Sequence, residues 1–120
     1  MPWSRVDDRL SSSRNYWIHT TRSDGRPYVK PVWGIWFDGR LHSSTSAKSV
    51  SGLNLSARNS IAVHLESGDD VVILEGKAEA LTDGKLLSKL DEVYFAKYAY
   101  HLRIEDGSVY SLGHKVAFLG

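Results

Sequence analysis

The first third of the chain alternates between apolar and polar positions in short runs that turn signals separate. The run 16–21 is aromatic and β-branched, and the run 28–37 alternates with a period of two residues. This period is typical of β-strands. Turns are predicted at 23–26 and at Asp38-Gly39, because an Asp-Gly pair favours a tight hairpin. The pattern therefore predicts strand, turn, strand, turn, and a third strand over 40–45.

The run 28–37 is predicted to form one strand with two distinct faces. One face carries Val29, Pro31, Trp33, Ile35 and Phe37, and the other carries Lys30, Val32, Gly34 and Trp36. Tryptophans in such a strand either fill the core or form an aromatic surface of the kind enriched at subunit interfaces. The alternation leaves both roles open for Trp33 and Trp36.

The rest of the chain predicts three more strands and three short helices. The strands are expected at 61–65, 71–81 (with Gly76 marking a bulge or a close approach of the backbone) and 109–119, and the helices at 3–13 (a short helix or a turn), 49–57 and 85–98. In the first helix, Val6 and Leu10 are four residues apart and are expected to pack on the sheet. This order predicts a mainly β fold, a six-stranded antiparallel barrel with two or three short helices, because closure removes sheet edges.

A hydroxyl-rich run, 43–51, follows the third strand and leads into the second helix. Serine and threonine hydroxyls, Lys48 and the N–H groups at a helix start are suited to bind a phosphate. The alternative is that this run is a solvated loop. A barrel this small fills its interior with side chains, so a large ligand has to bind in an outer groove or between subunits.

The composition of the chain argues against several classes of site and partner. The 120 residues predict a single domain, 1–120, and the absence of cysteine excludes disulfides and thiolate metal sites. The net charge of +1, from 15 basic and 14 acidic residues, does not favour nucleic acid as a partner. No apolar run is long enough for a membrane helix, and residues 1–5 lack a signal core, so a cytoplasmic protein is expected.

The ordered motifs of the chain resemble the split β-barrel family of flavin and deazaflavin oxidoreductases, the relatives of pyridoxamine 5'-phosphate oxidase. The resemblance covers nearly the whole chain and rests on the ordered set rather than on any one piece. The matching residues are Tyr16-Trp17-Ile18, Thr20-Thr21, Asp24-Gly25-Arg26-Pro27, Pro31-Val32-Trp33-Gly34, Leu41, Ser44-Thr45, Ser49, Asn54-Leu55, the strand 72–76, and Lys97-Tyr98.

The resemblance implies a Greek-key split barrel that forms a homodimer, with a cofactor across the subunit interface. That cofactor would be coenzyme F-420 or FMN, and the reaction would be hydride transfer to an unsaturated small-molecule substrate. The alternative on the same fold is a non-catalytic flavin- or haem-binding protein. A haem would need an axial ligand, for which His42 and His114 are the candidates.

The same resemblance assigns candidate cofactor-binding residues. Pro31, Val32 and Trp33 would form a wall for the ring, and the phosphate seat would comprise Ser44, Thr45, Lys48, Ser49, Ser51 and Asn54. Relatives often read Ser-x-Lys-x-x-Asn-Leu at this seat, whereas this chain places Ser51 at the usual lysine position. No catalytic residue is identified, and no histidine pair has helical metal spacing, so no metal site is predicted.

Overall fold

A computed structural model describes residues 3–46, 48–69, 71–102 and 107–119; the side chains of 3, 107, 108 and 114–119 lie outside this description. The described part of the chain forms three helices and seven strands. They are α1 (Trp3–Ser12), β1 (Tyr16–Thr21), β2 (Pro27–Val32), β3 (Ile35–Phe37), β4 (Arg40–Ser46), α2 (Val50–Ala57), β5 (Ser60–His64), β6 (Val72–Ala80), α3 (Gly84–Tyr98) and β7 (Gly107–Leu119).

The described strands form one curled antiparallel sheet in the order β2-β1-β5-β6-β7-β4-β3. The mainly β, split-barrel prediction is confirmed, but the number of strands in the described chain is seven rather than six. The predicted bulge is also present, because the β6–β7 register shifts between Glu75 and Gly76. No helix among the described residues has the length and apolar character needed to cross a membrane.

The additional strand arises where the sequence predicts one continuous strand over 28–37. The structure breaks this run at Trp33-Gly34: β2 pairs with β1, whereas β3 pairs with β4. Because β2 and β3 are the two edges of the sheet, a two-residue connection joins one edge to the other. The prediction of a single strand is therefore wrong, and the break is the point at which the sheet curls back on itself.

The β3–β4 hairpin has the turn chemistry that its sequence predicts. Asp38 and Gly39 both adopt positive φ angles, 53° and 71°. A two-residue turn with positive φ at both positions matches the twist of the flanking strands. This tight turn fixes the register that places His42 opposite Ile35.

Two hydrophobic clusters lie on opposite sides of the sheet. The larger cluster fills the interior and includes Val6 and Leu10, so the predicted packing of α1 is confirmed. Trp36 belongs to this cluster, and its indole N–H donates to Asp7 of α1. The smaller cluster lies beneath α3 and consists of Ile35, Leu90, Leu102 and Val109. The sheet is therefore packed on both faces where α3 covers it.

The peptide groups at the break are held by the C-terminal end of α3. The Tyr98 hydroxyl accepts the Gly34 N–H at 3.0 Å and lies 2.8 Å from the Gly34 carbonyl oxygen, to which it can donate. It also lies 2.7 Å from the carbonyl oxygen of Arg14. The Lys97 ammonium donates to the Gly34 carbonyl at 3.1 Å and to the Tyr16 hydroxyl at 2.9 Å. Side chains thus replace the strand partners that Gly34 lacks.

Burial changes the acid–base behaviour of this cluster. Loss of hydration lowers the pKa of Lys97 from 10.5 to about 8, and the nearby Arg14 adds to this effect. Burial raises the pKa of Tyr98 to about 12. The pKa of Tyr16 is raised as well, mainly by burial and secondarily by Tyr98. The charged form of Lys97 is therefore less favourable in the folded protein than in the unfolded chain.

We expect Tyr98→Phe to lower the free energy of unfolding by about 1–3 kcal/mol, because the buried Gly34 N–H loses its acceptor. Urea unfolding followed by tryptophan fluorescence measures this change. Tyr100→Phe is the matched control, because Tyr100 is 63% exposed. Equal stability of the Tyr98 variant and the wild type would show that the hydroxyl does not hold the break.

We expect the free energy of unfolding to rise with pH between about 8 and 10. In this range the folded protein has released the Lys97 proton and the unfolded chain still binds it. The rise should amount to roughly 1–2 kcal/mol, since the ammonium is partly exposed to solvent. Above pH 10 the stability should fall, because the folded state retains the phenolic protons of Tyr16 and Tyr98.

Unfolding midpoints in urea at several pH values measure this profile. Lys97→Met should abolish the rise between about pH 8 and 10, because it removes the group whose proton is released. Lys89→Met on the same helix should retain the rise, since the side chain of Lys89 is 56% exposed. A wild-type profile that is flat in this range would contradict the expected role of Lys97.

Candidate functional site

A groove of about 440 Å³ lies between β4, the start of α2 and the C-terminal end of α3. This volume is within the usual range of small-molecule sites. Its lining residues come from both hydroxyl-rich and aromatic segments. They are Lys30, Trp33, Ser44, Thr45, Ser46, Ser49, Tyr94, Tyr100 and His101. The groove therefore combines a polar end with an aromatic end.

The structure brings only part of the predicted cofactor site to this groove. Trp33, Ser44, Thr45 and Ser49 line it. The other predicted residues lie around it in different environments. On β2, Pro31 is exposed, whereas Val32 is turned inward and lines a small interior cavity.

The polar end of the groove is built around Ser49, the N-cap of α2. Its Oγ accepts the Gly52 N–H at 3.0 Å and donates to the Ser46 carbonyl at 2.7 Å. The Thr45 hydroxyl lies 3.1 Å from the same oxygen. These bonds fix the loop between β4 and α2, so the hydroxyls and the positive end of the helix are held in place. Lys48 is exposed and directly precedes the cap.

Two predicted seat residues are turned away from solvent. Asn54 is 5% exposed, and its Nδ2 donates to the Thr20 hydroxyl at 3.0 Å. Ser51 is 1% exposed and lines a small cavity of about 30 Å³ inside the sheet, most of whose lining residues are apolar. Among the described residues, its Oγ has no hydrogen-bond partner.

The aromatic end is organised by Trp33, the residue at the break in the sheet. Its ring stacks on Tyr98 with centroids 4.6 Å apart and an angle of 4° between the planes. The guanidinium of Arg14 lies 4.9 Å from the centre of the indole, and Tyr100 contacts it at 5.5 Å with a tilt of 42°. Trp33 is therefore a flat wall whose orientation is fixed by its neighbours.

Sequence reasoning missed the residues that α3 contributes. Tyr94 is in the last part of α3, and Tyr100 and His101 follow directly after it. Ala99 ends the helix in the left-handed conformation, with φ of 61°. This change of direction brings the next residues to the groove. The cluster of tyrosines near 94–100 was a visible signal, but nothing in the sequence shows which strand the helix end meets.

His101 at the groove is held by a carboxylate behind it. Its Nδ1 lies 3.0 and 3.2 Å from the two carboxylate oxygens of Asp91. The same carboxylate accepts the Leu102 N–H at 2.8 Å. The imidazole also stacks on Phe95, with centroids 4.6 Å apart. These contacts hold the imidazole ring in position, and they make Nδ1 the nitrogen that bonds to Asp91.

The charges around the groove favour an anionic ligand. Lys30 lines it, Arg14 lies against Trp33, and Lys48 precedes the cap of α2. No aspartate or glutamate is among the described lining residues. In the described part of the chain, no three His, Cys, Asp or Glu side chains are grouped as metal ligands. The arrangement suits a flat ring with a phosphate group better than a metal ion.

His42, a candidate axial ligand for haem, lies outside this groove. It is 4% exposed, its Nε2 is 3.3 Å from the Phe37 carbonyl, and it lines a separate pocket at the other end of α3. Burial is the main reason why the pKa of His42 is lowered, so the imidazole is favoured in its neutral form. The side chain of His114, the other candidate, lies outside the described residues.

Solved structures of several proteins share this fold. A conserved hypothetical protein from Mycobacterium tuberculosis aligns with a TM-score of 0.85 and 22% identity, over 98% of this chain and 82% of that one. An F-420 reductase aligns with a TM-score of 0.73 and 19% identity, over 93% and 94% of the two chains. A haem-binding protein from Mycobacterium smegmatis aligns with a TM-score of 0.82 and 20% identity, over 100% of this chain and 55% of that one.

No curated protein matches the chain by sequence. The structural relatives are less than 25% identical to it and therefore show the fold alone. The family model for pyridoxamine 5'-phosphate oxidase, however, matches residues 3–115, which is most of the chain. The protein described here belongs to the pyridoxamine 5'-phosphate oxidase family of split β-barrel proteins.

Proposed function

We propose that this protein binds coenzyme F-420 in the groove, with FMN as the close alternative, and reduces an unsaturated small molecule. The observation that carries the proposal is that the two ends of the groove differ in chemistry. Trp33 forms a flat wall at one end, and the start of α2, capped by Ser49, forms the other. Both cofactors combine a planar ring with a phosphate group. The similarity of the fold to an F-420 reductase supports the choice of cofactor.

The described residues fit such a group and would divide its binding between them. Trp33 would face the ring, held in orientation by Tyr98 and Arg14. Thr45, Ser46 and Ser49 would surround the phosphate together with the helix start, and Lys48 would add a positive charge. When bound, the reduced cofactor supplies a hydride to the substrate. The protein's part is to orient both molecules and to limit access of water.

A second candidate function is haem binding without turnover. It is favoured by the fold similarity to the haem-binding protein from Mycobacterium smegmatis, although the chain spans about half of that protein. Of the described histidines, His101 lines the groove, but its Nδ1 is held by Asp91. An axial bond to haem iron would therefore have to use Nε2.

Binding titrations distinguish the two functions and test the phosphate seat. Absorbance and fluorescence titrations with coenzyme F-420, FMN and haem should show saturable binding of a flavin-type cofactor. FMN should bind more tightly than riboflavin, which lacks the phosphate. Lys48→Met should reduce this preference roughly fivefold, because an exposed charge contributes about 1 kcal/mol to a phosphate contact. Lys85→Met, at the start of α3, is the control and should retain the preference.

Consumption of reduced coenzyme F-420 in the presence of cyclohex-2-en-1-one tests turnover. Saturable binding together with consumption supports the reductase. Binding of haem alone would instead favour the second candidate. Equal affinities for FMN and riboflavin in the wild type would place the phosphate away from Ser49 and Lys48.

We also propose that the protein is a homodimer. The outward face of the sheet carries a row of neighbouring residues across four strands: Pro31, Trp17, His64 and Ile73. Val29, 43% exposed, lies next to this row on the edge strand β2. An aromatic and apolar row of this kind is typical of subunit interfaces.

Light scattering after size exclusion should give twice the chain mass for the wild type. Val29→Lys should shift the protein towards the monomer, because it places a charge beside the apolar row. Leu53→Lys is the control on a different surface, since Leu53 is 58% exposed on α2. A monomeric wild type, or a dimer unaffected by Val29→Lys, would contradict this interface.

A further inference from the structure

The pair formed by His101 and Asp91 has the geometry of an oriented imidazole. Asp91 accepts from Nδ1 at 3.0 Å, which places a hydrogen on this nitrogen. The Leu102 N–H bond to the same carboxylate, at 2.8 Å, prevents it from turning away. Consequently, Nε2 is the nitrogen that His101 can offer to a ligand. An aspartate that fixes the tautomer of a histidine in this way is a recurrent arrangement in acid–base catalysis.

The position of the ring suits proton transfer to a bound molecule. One side of the imidazole packs on Phe95, with 23° between the planes, and this contact supports the ring in the orientation that Asp91 favours. The side chain lines the groove with Trp33 and is 69% exposed, whereas Asp91 is 29% exposed. His101 therefore meets both the groove and the solvent. A proton donor needs this access in order to regain its proton after each turnover.

The other groups that face the groove have different chemistry. Ser44, Ser46, Lys30, Tyr94 and Tyr100 are contributed by β4, β2 and the end of α3. Among the described lining residues, none carries a carboxylate, and His101 is the one histidine.

We propose that His101 donates the proton that completes reduction of the substrate, and that Asp91 is its positioning residue. The inference rests on the proposed hydride transfer and specifies its second half. For a conjugated enone, the hydride with its electron pair bonds to the β carbon, and the C=C π pair moves to the α carbon. In the imidazolium form His101 carries a hydrogen on both nitrogens; its Nε2–H bond then breaks, the proton bonds to that carbon, and the ring is left neutral with its remaining hydrogen on Nδ1 towards Asp91. The substrate gains two hydrogens, the cofactor is oxidised by two electrons, and His101 takes a proton from water.

An enone is the test substrate because the proposed function is reduction of an unsaturated small molecule. Such a substrate would have to lie between the ring bound on Trp33 and the imidazole of His101. The aromatic side chains Tyr94 and Tyr100 border this space. They would contact its apolar part and exclude water from the reacting carbons.

The first measurement follows binding alone. In an NMR titration, the indole signal of Trp33 should move on addition of oxidised coenzyme F-420, and the imidazole signals of His101 should move when cyclohex-2-en-1-one is then added to this unreactive complex. An unmoved His101 beside a shifted Trp33 would overturn the proposal, because the imidazole would then be out of contact with the bound molecule.

The second measurement is turnover of cyclohex-2-en-1-one with reduced coenzyme F-420. His101→Ala should lower kcat about 100-fold or more, which is the usual contribution of a general acid. His101→Asn should be equally impaired, although its amide can still donate to Asp91. Free imidazole should restore activity to His101→Ala, which a purely structural role would not allow. Cofactor affinity should remain within about twofold of the wild type.

A separate substitution tests the positioning role of Asp91. Asp91→Asn should lower kcat about tenfold with little change in KM, because the imidazole loses its orientation. Glu92→Gln, the next residue of α3, is the matched control and should leave kcat unchanged.

The outcomes separate this inference from the proposed function. If the wild type reduces the enone and His101→Ala is equally active, or is inactive without rescue by imidazole, His101 is not the proton donor while the reductase proposal stands. If the wild type binds no flavin-type cofactor or consumes none of its reduced form, the proposed function fails and this inference fails with it.

Discussion

The fold depends on how the protein satisfies one peptide unit, that of Gly34. This residue lies where the chain leaves one edge of the sheet and enters the other, so neither edge provides it with a strand partner. The Tyr98 hydroxyl and the Lys97 ammonium take the place of that partner. A buried peptide group without such bonds is costly, so the end of α3 stabilises the sheet at the point where it curls. Because Tyr98 is bonded to Gly34, its ring also lies against the neighbouring Trp33. This stacking orients the indole that forms the groove wall.

The run 28–37 shows why the sequence predicts the faces of a strand better than its partners. Even-numbered positions point inward on both sides of the break: Val32 lines the interior cavity, and Trp36 joins the interior cluster. The alternation therefore continues without a change of phase while the hydrogen-bonding partner changes from β1 to β4. Hydrophobic periodicity reports which side of a sheet is buried, and it carries no information on the neighbouring strand. The only local signal is Gly34, where a Cβ would lie 3.1 Å from Tyr16 and from the His42 carbonyl.

The same limit explains what could be predicted of the candidate site. Trp33, Ser44, Thr45 and Ser49 are close to one another in the sequence or in one hairpin, and the structure brings them together along the groove. Tyr94, Tyr100 and His101 reach it only because α3 crosses the sheet from a distant part of the chain. Helical periodicity at Ser51 and Asn54 places both inside, where Ser51 borders a small and mainly apolar cavity. A lysine at this position would have to direct its ammonium away from the cavity, because burying an unpaired charge among apolar side chains is costly.

The edge-to-edge connection at Trp33-Gly34 also limits how related chains can differ in length. An insertion between these residues would separate the two edges and leave unpaired strands open to other chains. The loop at 66–69 carries no such constraint, because it joins neighbouring strands and is largely exposed. Length variation in this family should therefore accumulate at such hairpin loops, and a circular permutant opened there should fold, whereas one opened at Gly34 should aggregate.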